Sequence, residues 1–306
     1  MKVNFKVYSA VVLAMIFWAF SFVWFKVANV HYTPITIVFL RLVISGTLLT
    51  IFLLATGKFI KMPKADRNKF LLLSLFEPFF YFLGESYGLT YLSSTVGSVM
   101  ISTIPVFAAI GAWILYRERL TTLNYAGIIL SFAGVMLFII TPSGSIIVDL
   151  RGVLPMMVAV LSAVGYTLVL KNLAGTYNPI YIVNIQNIIG TILFLPLFLI
   201  TESKEFFETT HTLPMLMPVI KLAIFASSGA FILFAYSVRH LGITKANVFS
   251  NFIPVFTALF AWIILGDTLS IQSFIGMVIV VAGLFLSQRT GRKRKILGEI
   301  LPGKTA

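Results

Sequence analysis

Three ionisable residues lie inside long apolar stretches of this sequence: Arg41, Glu77 and Glu85. A charged side chain in hydrocarbon costs at least about 2.5–3.5 kcal/mol on insertion scales, so such residues usually pair or serve a function. If these stretches are helices that cross a bilayer, Arg41 lies roughly 10 Å and Glu85 roughly 8 Å from the same end. Equal depth predicts a structural ion pair between Arg41 and Glu85, with anion binding by Arg41 as the alternative.

Glu77 differs from the other two because no basic residue matches its depth, roughly 12 Å from the opposite end of its stretch. It directly precedes Pro78. A carboxyl group that is sealed from water and then rehydrated can carry a proton or bind a substrate amine. A neutral Glu that is hydrogen-bonded at a proline kink would leave the same sequence, so both interpretations stay open.

Two later apolar stretches carry polar residues one helical turn apart. Ser98 and Ser102 share one helix face, and Asn247 and Asn251 repeat the spacing. Amides at lipid depth need hydrogen-bond partners, which favours a polar cavity for the asparagines. Small hydroxylated residues also let membrane helices pack closely, so packing explains the serines equally well.

A proline follows each polar pair, Pro105 after Ser102 and Pro254 after Asn251. Each proline lies about ten residues into its stretch, or roughly 15 Å along a helix. Proline removes one backbone hydrogen bond from a helix. The pattern predicts a kink at both prolines near the middle of the bilayer.

Aromatic and amide residues complete the predicted substrate-binding set. Trp18 and Tyr166 lie on the first helices of two related halves, Tyr81 follows Glu77, and Gln186 belongs to a polar cluster. Aromatic side chains suit an apolar cavity wall, although packing is the commoner role for any one of them. Hydrogen bonding between helices explains Gln186 equally well.

The composition places the whole chain in a bilayer. Of its 306 residues, 59% are hydrophobic and 11% are charged, and the mean hydropathy is +1.00. A soluble domain has about 25% charged residues. Apolar runs of roughly 20 residues, enough to span a bilayer, occur ten times: 7–28, 34–56, 69–90, 95–116, 122–141, 152–173, 179–201, 217–239, 245–265 and 270–288.

The basic residues indicate orientation rather than nucleic-acid binding, although the formal charge is +13. Most of them fall near the N-terminus, in the connections 57–69 and 117–121, and in the tail 289–306. By the positive-inside rule, both termini and these connections are cytoplasmic. The predicted location is therefore the inner cell membrane, with several spans and no nucleic-acid partner.

The chain contains an internal duplication. Residues 92–134 align without gaps to 241–283, at an offset of 149, and Lys26/Lys171 and Pro34/Pro179 match at an offset of 145. Each copy holds five spans, and because five is odd the second copy runs inverted. The sequence thus predicts an all-α membrane protein of two inverted five-helix repeats, 1–145 and 146–288, followed by a basic cytoplasmic tail, 289–306. Inverted repeats are a transporter architecture, with the site near the bilayer midplane.

In these features the chain resembles the drug/metabolite transporter superfamily, specifically its EamA-type branch. The resemblance rests on the repeat and on the segment YLSSTVGSVMISTIPVFAAIGAWILYRERLTTLNYAGIILSFAG with its second copy. The family usually ends this helix with an acidic residue after a glycine. Here the first copy reads Arg117-Glu118, which departs from this pattern at the glycine, and the second copy reads Gly266-Asp267. The resemblance implies export or exchange of small metabolites, such as amino acids, or of drugs.

The leading prediction is a secondary transporter for a small neutral or zwitterionic solute, with protons or a counter-solute as candidate driving partners. A passive channel or facilitator is the alternative. The sequence has no phosphate loop, no metal-ligand spacing and no nucleophile–base set, so it predicts no cofactor, no metal and no enzymatic activity. The oligomeric state stays open.

Overall fold

A computed structural model describes residues 5–60, 62–108, 121–139, 149–242, 246–247, 249–267 and 270–287. Within these ranges every regular element is a helix, which confirms the predicted all-α class. Most of the connection 117–121 and the whole tail 289–306 lie outside the described residues.

The first half of the chain contains six helices in the described ranges. They are α1 (Phe5–Ala28), α2 (Pro34–Ala55), α3 (Arg67–Ser74), α4 (Tyr81–Tyr91), α5 (Ser94–Ile101) and α6 (Thr122–Ile139). A 3-10 turn, Lys64–Asp66, precedes α3, and a π-helical segment, Leu75–Phe80, joins α3 to α4. After α5 the chain turns and becomes helical again at 104–108.

The second half contains seven helices in the described ranges. They are α7 (Leu150–Thr176), α8 (Pro179–Thr201), α9 (Ser203–Glu208), α10 (Leu213–Lys221), α11 (Phe231–Leu241), α12 (Ile253–Leu265) and α13 (Ile271–Ser287). A π-helical segment, Leu222–Ala230, joins α10 to α11, and a 3-10 turn, Phe249–Phe252, precedes α12.

Local chemistry explains where several helices begin. Pro34 and Pro179 start α2 and α8, where a missing backbone N–H leaves no helical hydrogen bond unmade. The Asn178 side chain accepts a hydrogen bond of 2.9 Å from the backbone N–H of Ile180. Asp149 caps α7 in the same way, through a bond of 2.9 Å from the N–H of Arg151.

In the part of the chain that the structure describes, five helical runs are long and apolar enough to cross a membrane: Phe5–Ala28, Pro34–Ala55, Leu150–Thr176, Pro179–Thr201 and Leu213–Leu241. Shorter apolar helices are Ser94–Ala108, Thr122–Val135, Phe249–Leu265 and Phe274–Gly283. The predicted span 69–90 falls on α3, the first π-helical segment and α4.

The helices pack mainly between halves rather than within them. The cross-half pairs are α1 with α10, α11 and α12, α2 with α8, α4 with α7, and α6 with α13. Two glycines show how close the last pair is. A Cβ atom at Gly134 would lie 2.7 Å from the backbone nitrogen of Val280, and one at Gly283 would lie 2.5 Å from that of Ser131. Such small residues let membrane helices approach closely.

Glu77 and Pro78 account for the first π-helical segment. The backbone at Glu77 is extended, with φ −149° and ψ 119°, and the proline that follows cannot donate a helical hydrogen bond. The Glu77–Pro78 peptide bond is cis. The extended backbone thus interrupts the helix between Arg67 and Tyr91 at Glu77, whose side chain is buried.

Candidate functional site

A cavity of about 630 Å³ of empty space lies inside the bundle. Its charged and polar wall consists of Ser21, Arg41, Glu77, Tyr81, Glu85, Tyr166, Thr167, Asn247 and Ser250. Its apolar wall consists of Trp18, Phe22, Phe82, Ile101, Ile104, Ala163, Phe234 and Ile253. Residues from both halves of the chain thus enclose one space that contains all three intramembrane ionisable residues.

Glu77 presents an unpaired carboxyl group to this cavity. The side chain is 5% exposed, and neither carboxyl oxygen has a hydrogen-bond partner among the described residues. The extended backbone at Glu77 interrupts the helix there. The carboxyl group is therefore available to a ligand or a proton rather than engaged in packing.

The guanidinium group of Arg41 is hydrogen-bonded through Nε, whereas its two Nη groups have no hydrogen-bond partner among the described residues. Its Nε donates a hydrogen bond of 2.7 Å to Oγ of Ser227, and its Cζ lies 4.1 Å from the centroid of the Phe82 ring. The two Nη groups make no hydrogen bond to any described residue. A guanidinium group fixed in this way can offer both Nη groups to a carboxylate in the cavity.

The predicted ion pair between Arg41 and Glu85 is not formed directly. Glu85 instead accepts a hydrogen bond of 2.9 Å from the Tyr81 hydroxyl, one helical turn earlier. Arg41 instead lines the same cavity as Glu77, for which the sequence indicated no basic residue at matching depth. The helix that carries the two glutamates is broken at Glu77, which counting along a straight helix does not take into account.

Seven of the predicted binding or coupling residues line the cavity: Trp18, Arg41, Glu77, Tyr81, Glu85, Tyr166 and Asn247. Ser98 and Ser102 do not. Their hydroxyls donate to their own helix, to the backbone oxygens of Thr95 at 2.8 Å and Val99 at 2.7 Å. For the two serines the packing alternative therefore describes the structure better than the cavity alternative.

Gln186 and Asn251 also lie outside the cavity wall. Oε1 of Gln186 accepts a hydrogen bond of 3.3 Å from the hydroxyl of Tyr166, which does line the cavity. Asn251 is fully buried, and neither atom of its amide group has a partner among the described residues. Gln186 thus supports the wall from behind, whereas Asn251 has no contact that assigns it a role.

Both prolines lie just after an interruption of the helix. α5 ends at Ile101, residues 102–103 form a turn, and Pro105 is in the helical run 104–108. Pro254 is the second residue of α12, directly after the 3-10 turn Phe249–Phe252. A proline in the first turn of a helix removes no helical hydrogen bond, so the interruption lies one turn earlier than a mid-helix kink would.

The cavity wall has a regularity that the search for polar residues missed. Six pairs of lining residues are related by the repeat offsets: Trp18/Ala163, Ser21/Tyr166 and Phe22/Thr167 at 145, and Glu85/Phe234, Ile101/Ser250 and Ile104/Ile253 at 149. The repeat offset could have predicted these residues, because a wall residue in one copy indicates that the residue at the same position in the other copy also lines the wall.

The charged residues of the cavity wall have no charged counterparts in the other copy. The counterparts of Arg41, Glu77 and Glu85 are Gln186, Ala226 and Phe234, and none of these is ionisable. Among the described residues, the guanidinium and carboxyl groups of the cavity wall therefore all come from the first copy, on α2, α4 and the π-helical segment Leu75–Phe80.

Comparison with known proteins agrees with this architecture. The model of the EamA-like transporter family matches residues 5–140 and 150–288, and the chain belongs to this family, within the drug/metabolite transporter superfamily. It is thus a multi-pass membrane transporter rather than an enzyme, with a small-molecule substrate and the lipid bilayer as its surroundings.

Similar individual proteins are also named as transporters. An Archaeoglobus fulgidus protein, "Uncharacterized transporter", is 30% identical over 93% of this chain and 99% of its own length. "Uncharacterized transporter YetK" of Bacillus subtilis strain 168 is 25% identical, over 81% of this chain and 76% of its own. One crystal structure superposes with a TM-score of 0.69 at 15% identity, covering 92% of this chain and 96% of that chain, which shows the fold alone.

Proposed function

We propose that this chain is a secondary transporter that exports or exchanges small zwitterionic metabolites, such as amino acids, or drugs, by alternating access. In this proposal ten spans form two inverted five-helix repeats, 1–145 and 146–288. Both termini and the basic tail 289–306 are cytoplasmic, and the protein lies in the inner cell membrane. Two mirrored halves around one cavity can open it to either side in turn.

The observation that carries the proposal is that Arg41 and Glu77 line one cavity and that the Nη groups of Arg41 and the carboxyl group of Glu77 have no hydrogen-bond partner among the described residues. The free Nη groups of Arg41 suit a substrate carboxylate, since planar guanidinium and carboxylate groups bind through two parallel hydrogen bonds. The unpaired carboxyl group of Glu77 suits a substrate ammonium group or a transported proton. A zwitterion would satisfy both groups at once, which a neutral solute would not.

The lining of the site supports a small organic substrate. Trp18, Phe82 and Tyr166 offer aromatic surface for an apolar substrate side chain. The pairing of wall residues at the repeat offsets supports a site shared by the two copies.

Counterflow in proteoliposomes tests the proposal. Proteoliposomes that contain the protein are loaded with one solute, and labelled amino acids, other metabolites or lipophilic cations are added outside. Saturable exchange that requires solute on both sides supports a carrier, and non-saturating flux supports the channel alternative.

The proposed topology has its own test, because the chain contains no cysteine. A single cysteine introduced by Lys64→Cys should react only with reagents that reach the cytoplasm. Reaction from outside intact cells would overturn the proposed orientation.

A further inference from the structure

Two tyrosines form related contacts between the halves. The Tyr32 hydroxyl lies 3.0 Å from Nδ1 of His211, and the Tyr177 hydroxyl donates a hydrogen bond of 2.6 Å to Oδ2 of Asp66. Tyr32 and Tyr177 are 145 residues apart, and so are Asp66 and His211. Each tyrosine directly precedes α2 or α8, and each partner lies in a connection of the other half. The same contact is thus made twice, once in each copy.

Aromatic rings reinforce both contacts. The His211 ring lies 4.3 Å from the Phe206 ring and 5.7 Å from the Tyr32 ring, between centroids. At the other contact, the Tyr177 ring lies 5.3 Å from Phe70 and 5.6 Å from Tyr181. In this structure packed side chains therefore join the two halves at each of these contacts. The charged residues of the cavity are shielded from solvent, since Arg41, Glu77 and Glu85 are at most 6% exposed.

One end carries an additional contact for which the described residues show no counterpart. The carboxyl group of Glu202, just after α8, accepts hydrogen bonds from the first turn of α2. The donors are the Thr33 hydroxyl, the Ile35 N–H at 3.3 Å, and the N–H and hydroxyl of Thr36 at 2.6 and 2.8 Å. Glu202 is 7% exposed. The residue 145 positions earlier is Gly57, which has no side chain, and α8 is instead capped by its own Asn178.

The helix that contacts Glu202 also supplies a residue of the cavity wall. Arg41, which lines the cavity, is five residues beyond Thr36 on the same helix, or roughly 8 Å further along it. Any opening of this end that separates the start of α2 from the end of α8 must break all the hydrogen bonds to Glu202 together. Hydrogen bonds to an ionised carboxylate are the stronger kind.

We propose that Glu202 is a latch that holds the α2 end of the bundle shut, whereas at the opposite end the described residues make the contact between Tyr177 and Asp66 and no equivalent of the Glu202 contact. The Glu202 latch consists of Glu202 with Thr33, Ile35 and Thr36. Because no described residue makes an equivalent contact at the opposite end, the two ends differ in how easily they open, and the resting protein keeps the Glu202 end closed. The role in alternation rests on the proposed function, but the closure itself does not.

Cysteine accessibility tests the latch directly. Ala163→Cys places a single thiol in the cavity wall, and Glu205→Cys, at an exposed position on α9, defines the Glu202 side of the membrane. An impermeant thiol reagent is then applied from one side at a time. Glu202→Gln should raise labelling of the cavity thiol from the Glu202 side by about tenfold or more, given the usual strength of hydrogen bonds to charged groups. Labelling from the other side should not rise.

Three further variants keep the test decisive. Glu205→Gln removes the same charge from a neighbouring exposed site and should leave labelling unchanged. Thr36→Val removes one donor at nearly constant volume and should give a smaller increase from the same side, even if Glu202→Gln folds poorly. Asp66→Asn should raise labelling only from the opposite side.

Equal labelling of the Glu202→Gln and Glu205→Gln proteins would overturn the proposal, and so would an increase from both sides, which indicates general loosening. The assay needs no substrate. If the latch variant opens the cavity but counterflow fails, the latch stands and the proposed function falls.

Discussion

The Tyr166 hydroxyl donates a hydrogen bond of 3.3 Å to Oε1 of Gln186, so a residue of the cavity wall is held by a residue behind it. Gln186 lies on α8 at the position that corresponds to Arg41 on α2. The two copies thus use one helical position differently: in the first it presents a charge to the cavity, and in the second it orients an aromatic ring.

Loss of this hydrogen bond should weaken substrate binding more than turnover. Gln186→Leu leaves the buried Tyr166 hydroxyl without its acceptor, so the ring can rotate away from the substrate. We expect KM for counterflow to rise roughly three- to tenfold, as for one neutral hydrogen bond, with little change in kcat. Asn184 lies on the same helix as Gln186 and accepts a hydrogen bond from the Thr50 hydroxyl of α2. Asn184→Leu removes that bond, is the control, and should leave KM unchanged.

Arg41→Gln gives the first copy the residue that the second copy has at this position. It should raise KM for carboxylate-bearing substrates by roughly 10- to 100-fold, the usual effect of losing a charge-assisted hydrogen bond. Transport of amines without a carboxylate should be largely retained. Ser227→Ala removes only the Nε contact and should have a smaller effect in the same direction. An equal loss for both substrate classes would show that Arg41 serves folding and not recognition.

Glu77→Gln should uncouple transport from protonation or from substrate charge. The variant keeps the size of the side chain and loses ionisation, in a cavity where the carboxyl group has no protein partner. Flux should lose its pH dependence, or amines should lose their advantage over neutral analogues, while exchange persists. Glu85→Gln is the comparison. Because Glu85 contacts Tyr81 and not Arg41, Glu85→Gln should lower thermal stability without rescue by Arg41→Gln. An unchanged rate, pH profile and substrate range for Glu77→Gln would make this carboxyl group structural.

The sequence predicted the helical class and singled out the charged residues that line the cavity, because apolar runs and the charges within them are visible along the chain. Apolar runs mark helices, and the offsets of 145 and 149 relate wall residues such as Trp18 and Ala163. It could not predict that Ser98 and Ser102 bond to their own helix, because periodicity defines a face but not the neighbour of that face. The position of Glu202 was missed for a similar reason. It follows α8 directly, and no local pattern indicates that its carboxyl group reaches α2.

The two interrupted helices should depend on their prolines. Pro105→Ala or Pro254→Ala allows the backbone to continue the helix across residues 102–103 or across the turn Phe249–Phe252. We expect counterflow to fall by about tenfold or more while membrane insertion, measured by surface labelling, is retained. Pro196→Ala, at an exposed position of α8, is the control and should transport normally. Normal counterflow in both test variants would reduce these prolines to packing features.

The contact between Tyr177 and Asp66 should stay closed throughout the physiological pH range. The hydrogen bond to Asp66 raises the pKa of Tyr177 from 10.0 to about 12, and hydrogen bonds from Lys69 and then Tyr177 lower the pKa of Asp66 below 3.8. For Asp66, whose pKa is lowered on folding, the stabilisation is complete above the ordinary value of 3.8 and is lost as pH falls through the lower folded value. For Tyr177, whose pKa is raised, it is complete below 10.0 and is lost as pH rises through about 12.

Labelling of Ala163→Cys from the Asp66 side measures this closure. The thiol itself reacts faster as it ionises, so each rate is divided by that of the same protein carrying Tyr177→Phe, which lacks the donor at every pH. The ratio should stay constant between about pH 6 and about pH 9, because neither group titrates there. A ratio that changes within this interval would show that another titrating group controls the end of the bundle that Tyr177 and Asp66 close.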